Sequence, residues 1–188
     1  MKKNGISGAA GRLLATAAAA ASLAACASSA DPHAMAVAPP PAAVNADKAF
    51  PQALMHAMCV RAVTGGEKTN PLWVSKVDND GFKSALGASL DTAGLTAPAS
   101  GCSYPIDVNL LGLSQPSMGF DMTVTSHVNY KVYNSGGEPY LLATIDAPFT
   151  ATVGDAFLGV ERLKKANEGS IRASIQMFFD KLKDSGRP

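Results

Sequence analysis

Residues 120–133 read FDMTVTSHVNYKVY. Phe120, Met122, Val124, Val128, Tyr130 and Val132 alternate with Asp121, Thr123, Thr125, His127, Asn129 and Lys131. A period of two sustained over this length describes a strand with one face buried and the other in water. Asn134-Ser135-Gly136-Gly137 follows, which is turn chemistry for a hairpin. The pattern then resumes in YLLATIDAPFTATV (140–153), where Leu141, Ala143, Ile145, Ala147, Phe149 and Ala151 oppose Tyr140, Thr144, Asp146 and Thr150. Upstream, YPIDVNLL (104–111) sets Tyr104, Ile106, Val108 and Leu110 against Asp107 and Asn109.

Working outward, MHAMCVRAVT (55–64) reads as a first strand ended by Gly65-Gly66. Phe82, Ala85, Leu86, Leu90 and Ala93 form a helical stripe over about 80–93, with Ser75, Asp78 and Asn79 as possible caps and Gly94 at the left-handed terminal position. Val160, Leu163, Ile171, Ile175, Phe178 and Leu182 predict a second helix over 155–184, with Asp155 as its cap and Gly169 as a bend or interruption. The order β-α-β-β-β-α has one physical solution. It is an α+β domain in which two helices cover one face of a mostly antiparallel four-stranded sheet. Phe82, Met122, Phe149 and Phe178 are expected in its core.

The first 25 residues carry Lys2, Lys3 and Arg12, an apolar run from Leu13 to Leu23, and small residues before Cys26. That layout is a secretory signal peptide, too short in its apolar part to span a bilayer. Leu23-Ala24-Ala25-Cys26 resembles the lipobox of bacterial lipoproteins, which implies an acylated Cys26 as the new N-terminus. Ala27 after the cysteine implies delivery to the outer membrane, with the domain facing the periplasm. Residues 26–50, rich in Ala and Pro with Pro39-Pro40-Pro41, read as a disordered tether, and 51–188 as the single domain.

Without residues 1–25 the chain holds 13 basic and 15 acidic residues, which argues against nucleic acid. The late cluster Arg162, Lys164, Lys165, Arg172, Lys181 and Lys183 is interspersed with acids and reads as a solvated helix face. With Cys26 assigned to lipid, Cys59 and Cys102 are left as a disulfide pair in an oxidising compartment.

No GxSxG, HExxH, CxxC, Walker or GxGxxG motif occurs, and His33, His56 and His127 have no metal-ligand spacing. No cofactor or metal is expected. His127 with Asp121 or Asp107 is the polar constellation an enzyme would use, and a solvated surface pair is the reading preferred. Trp73, Thr123, Thr125 and His127 are the positions assigned to partner contact.

GFDMTVTSHVNY (119–130) and DAFLGVERLKKANEGSIRASI (155–175) resemble a group of uncharacterised proteobacterial outer-membrane lipoproteins, over about residues 55–183. In element order the chain resembles the LPS-assembly lipoprotein LptE and YajG-like lipoproteins. The resemblance implies a non-enzymatic, membrane-anchored accessory or assembly factor that binds an envelope protein. A lipid or small-ligand carrier with a pocket between helices and sheet is the alternative.

Overall fold

A computed structural model of the protein describes residues 27–38, 50–70, 74–99, 101–117 and 119–186. Cys26 and Trp73 lie outside the described residues. In chain order the elements are α1 (Pro32–Met35), a 3-10 turn (Gln52–Leu54), β1 (Met58–Thr64), α2 (Asn79–Thr92), β2 (Tyr104–Ser114), β3 (Met122–Tyr133), β4 (Pro139–Ala151) and α3 (Gly159–Asp184). The sheet has the order β1-β2-β3-β4, with β1 parallel to β2 and the other two pairs antiparallel. This is the α+β arrangement the alternation predicts. The parallel pair follows from α2, which separates β1 from β2 and packs back on β1.

Even-numbered side chains of β3 and odd-numbered ones of β4 enter the core, as the alternation requires. In β2 the register slips between Leu110 and Gly112. Leu111 is left outside, 58 % exposed, and Leu113 turns back to the apolar side. The hairpin turn at 134–137 forms as expected: the Asn134 side chain accepts from the Gly136 and Glu138 N–H groups, and Gly137 takes a positive φ of 83°.

Asp78 is the cap of α2, accepting from Gly81 N–H at 2.7 Å, and Gly94 is left-handed at φ 70°. Phe82 and Phe178 enter the core from α2 and α3 and meet Tyr130 of β3 between them. Phe178 stacks on Tyr130 with ring centroids 4.3 Å apart, and Phe82 meets it edge-on at 6.4 Å. The buried Tyr130 hydroxyl pairs with Ser174 at 3.0 Å, and burial pushes its pKa upward. Of the four expected core aromatics and methionines, Met122 and Phe149 pack with Leu163 in a second, smaller cluster under the start of α3.

Three expectations need correction. Asp155 does not cap α3; its carboxylate accepts from the Thr152 N–H and hydroxyl in the preceding turn, and Leu158 holds the cap position without a side-chain bond. Gly169 does not interrupt α3. A Cβ there would collide with the Phe149 ring, so glycine is what lets helix and sheet approach. Most consequential, residues 27–37 are not a tether. Ala27, Ala30 and Met35 are buried; Asp31 N–H donates to Glu168 Oε1 at 2.8 Å, Ala30 N–H to the Lys76 carbonyl, Val37 N–H to Ser89 Oγ, and Arg172 to the Ala34 carbonyl at 2.6 Å. The segment is a strap across α2 and α3. Ala and Met supply enough apolar surface to hold it once two helices line its bed, a context that composition alone does not reveal.

The strap also revises the solvated-face reading of α3. Residues 166–171 are buried all round, and Arg162 and Glu168 are buried as well. Several interior polar groups are paired: Gln115 and Asn167 share a 2.7 Å bond and both donate to the Ser75 carbonyl, Ser126 donates to the Ser170 carbonyl, and Ser170 to that of Ala147, whereas the buried Arg162 Nε has no partner among the described residues.

Cys59 and Cys102 form a disulfide with Cα atoms 5.9 Å apart, joining β1 to the residues that lead into β2. Replacing both by Ser should lower unfolding free energy by about 2–4 kcal/mol, read by urea denaturation. A change below about 1 kcal/mol would show that the crossover is held by packing alone. Glu168 gives a second expectation. Burial raises its pKa above the ordinary glutamate value, against the opposing pull of the Asp31 N–H and Lys164. The folded state therefore favours the protonated form, and stability declines as pH rises from the ordinary glutamate range through the raised value. Glu168→Gln keeps an oxygen for the Asp31 N–H. It should flatten the stability profile above the ordinary glutamate range without loss at neutrality.

Candidate functional site

Both long helices and the strap lie on one side of the sheet, so the odd-numbered residues of β3 and the even-numbered ones of β4 stand on a face that no described element covers. The face is made of cross-strand pairs fixed by register. Thr123 is opposite Thr150, with hydroxyls 2.8 Å apart; His127 is opposite Asp146; Asn129 is opposite Thr144, with its amide donating at 3.2 Å. At the β1 end Arg61 grips Asp107 through two bonds, Nε to Oδ1 at 2.8 Å and Nη2 to Oδ2 at 2.5 Å. Its guanidinium also lies 5.0 Å from the Tyr133 ring centre. That pairing holds the Asp107 carboxyl below the usual carboxylate range.

The partner-contact positions Thr123, Thr125 and His127 all lie on this face. The enzyme constellation does not assemble as expected. Asp107 pairs with Lys131 across the ladder, four residues along β3 from His127, or about 13 Å. Asp121 precedes β3 by one residue, six residues from His127 and about 20 Å away along the strand.

Different partners surround His127. Its Nδ1 lies 2.7 Å from Asp146 Oδ1 and its Nε2 lies 2.9 Å from Ser114 Oγ. Serine, histidine and aspartate in that order are the parts of a nucleophilic relay. Here they sit in a row across three adjacent strands, with the Asp146 side chain 65 % and the His127 side chain 36 % exposed. A hydrolase also needs a cleft and hydrogen-bond donors aimed at an oxyanion. The strand N–H groups beside these residues are committed to the ladder. The two bonds hold the His127 ring between Ser114 and Asp146 on a partly exposed surface. The sequence held no signal for it, because Ser114 comes into line only through the bulge at Leu111.

Between the helices and the sheet, Phe82, Tyr130 and Phe178 occupy the space an apolar ligand would take. A recess of about 20 Å³, roughly one water, lies elsewhere, among Gly65, Lys76, Val77 and Leu113. Among the described residues no group of three His, Cys, Asp or Glu could hold a metal, and no helix is long and apolar enough to cross a membrane.

Neither a family model nor a curated protein sequence matches the chain. Solved structures do. The Xanthomonas campestris protein XCC0632, of family DUF330, superposes with a TM-score of 0.59 at 11% identity, over 85% of this chain and 97% of the other. A candidate lipoprotein of Caulobacter crescentus reaches 0.39 at 15% identity, over 53% and 78%. The Chlamydia trachomatis protein CT253 reaches 0.41 at 9%, over 69% and 92%. At these identities the likeness to XCC0632 is one of fold, and the two lower scores add nothing to it.

If the Ser114 row is a recognition feature and not a nucleophile, a fluorophosphonate probe will leave Ser114 unlabelled. His127→Ala will then shift stability by no more than about 0.5 kcal/mol, as for an exposed pair. Stoichiometric labelling abolished by that substitution would identify a hydrolase.

Proposed function

We propose that the protein is a non-enzymatic envelope lipoprotein, anchored through acylated Cys26, that binds a protein partner on the open face of its sheet as an accessory of an outer-membrane or transport machine. One observation carries the reading. The uncovered face is long, its polar side chains are already ordered by cross-strand hydrogen bonds, and Leu111 and Leu142 project from it at 58 % and 61 % exposure. Ordered polar groups with a few apolar anchors are what a protein interface uses, since little side-chain entropy is then lost on binding. The core filled by Phe82, Tyr130 and Phe178 supports this reading over a carrier. The lipobox supports the anchor, and the paired cysteines fit an oxidising compartment. Element order is also shared with the LPS-assembly lipoproteins, but the chain has no evident basic loop for lipid A phosphates.

A photo-crosslinking residue at Thr125, expressed at native level in envelopes, should give an adduct of one defined mass. The same residue at Gln176, exposed on α3, should not. Cys26→Ser should abolish lipid labelling and release the protein or leave it uncleaved. Equal adducts at both positions, or none at Thr125, would defeat the partner reading; unchanged labelling would defeat the anchor.

A further inference from the structure

Two loops meet at one end of the domain, the β2–β3 connection and the β4–α3 connection. Each presents a phenylalanine to solvent: Phe120 is 85 % exposed and Phe157 86 %, with Leu158 at 44 % and Val153 at 41 % beside them. These are not loose ends. The buried Arg162 guanidinium donates to the carbonyls of Ala156 at 2.8 Å, Phe157 at 2.9 Å and Gly119 at 3.2 Å, tying both loops together. Asp155 closes the second loop on Thr152. Committing a buried cation to tie two loops, each exposing a phenylalanine, is costly unless the loops have a use.

The strap shows what lies near them. Following the chain backwards, Ala34 sits at Arg172, Asp31 at Glu168, and Ser28 at Ser75, whose carbonyl is bonded by Asn167. Each step moves toward the N-terminal end of α3. Asn167 is eight residues from Gly159, about 12 Å along the helix. Cys26 is two residues before Ser28, and two residues reach at most about 7 Å. Ser28, the second residue after the cysteine assigned to lipid, therefore lies toward the end of α3 where Phe120 and Phe157 project.

We propose that Phe120, Phe157, Leu158 and Val153 form an apolar tip that enters the interfacial layer of the bilayer holding the acyl chains. This rests on the reading of Cys26 as the lipid anchor. The flanking charges are mixed, Asp121, Asp155 and Glu161 with Lys164 and Lys165, so the apolar side chains supply the contact and attraction to anionic lipid does not. Burial of about 5–10 Å is what such a tip attains. β3 begins and β4 ends there, so the open face stands away from the membrane along strands about 40 Å long. The domain is held flush and oriented, with its recognition face upright.

The test uses the full chain, purified with its native modification and placed in phosphatidylethanolamine/phosphatidylglycerol vesicles. Trp73 is the single tryptophan, so Trp73→Phe leaves a silent background. Phe157→Trp in that background should emit at shorter wavelength on vesicles. Acyl-brominated lipid should quench it by about twofold or more, as burial at the acyl boundary requires. Leu142→Trp on the open face should be unaffected. Phe120→Trp serves if circular dichroism shows that the first variant misfolds. An acylated Cys26 by mass spectrometry, with tip and control tryptophans equally unquenched, overturns the tip and leaves the anchor. An unacylated Cys26 overturns both.

Discussion

α3 is pressed between two surfaces, and the arrangement of the domain follows from that. On one side Gly169 lets the Phe149 ring come against the helix backbone, with Arg172 stacked over the same ring at 5.7 Å. On the other side the strap crosses the helix through Asp31 and Ala34. Where the helix meets the sheet most closely it uses small side chains, Ala166, Gly169 and Ser170, while the buried Glu168 meets the strap. Close approach then demands that the polar groups at this contact be bonded. The Gln115–Asn167–Ser75 and Ser126–Ser170–Ala147 connections do that.

Placing both helices and the strap on one side leaves the other side of a four-stranded sheet bare. A bare antiparallel face is stable if it is polar, and here polar residues are paired across strands so that little of their hydrogen-bonding capacity is idle. The same pairing orders the side chains of the face. Ser114, His127 and Asp146 have the atoms of a relay, set on a largely exposed face.

Much of the fold was legible in period and turn chemistry. Alternation in 120–133 and 140–153 assigned faces correctly, Asn134 to Gly137 formed the hairpin, and Cys59 met Cys102. The failures have a common cause. Gly169, Arg162, Glu168 and the strap all depend on what packs against α3 from elsewhere in the chain, and a local pattern carries no such information. A stripe of small residues, Ala166, Gly169, Ser170 and Ser174, was the available signal for close helix–sheet contact. The site was less legible. Thr123, Thr125 and His127 were found through alternation, whereas Ser114 and Asp146 join them only through the bulge and the β3–β4 register.

The strap decides whether residues 27–37 hang free or are held on the domain, and amide hydrogen exchange of those residues in the full chain measures it. The N–H groups of Ala30, Asp31, Met35 and Val37 are all hydrogen-bonded in the fold. They should exchange at rates comparable to α2, slowed by about a hundredfold or more relative to free chain. Exchange at the rate of unstructured peptide, with α2 and the sheet still protected, would contradict the docked strap and the orientation that follows from it.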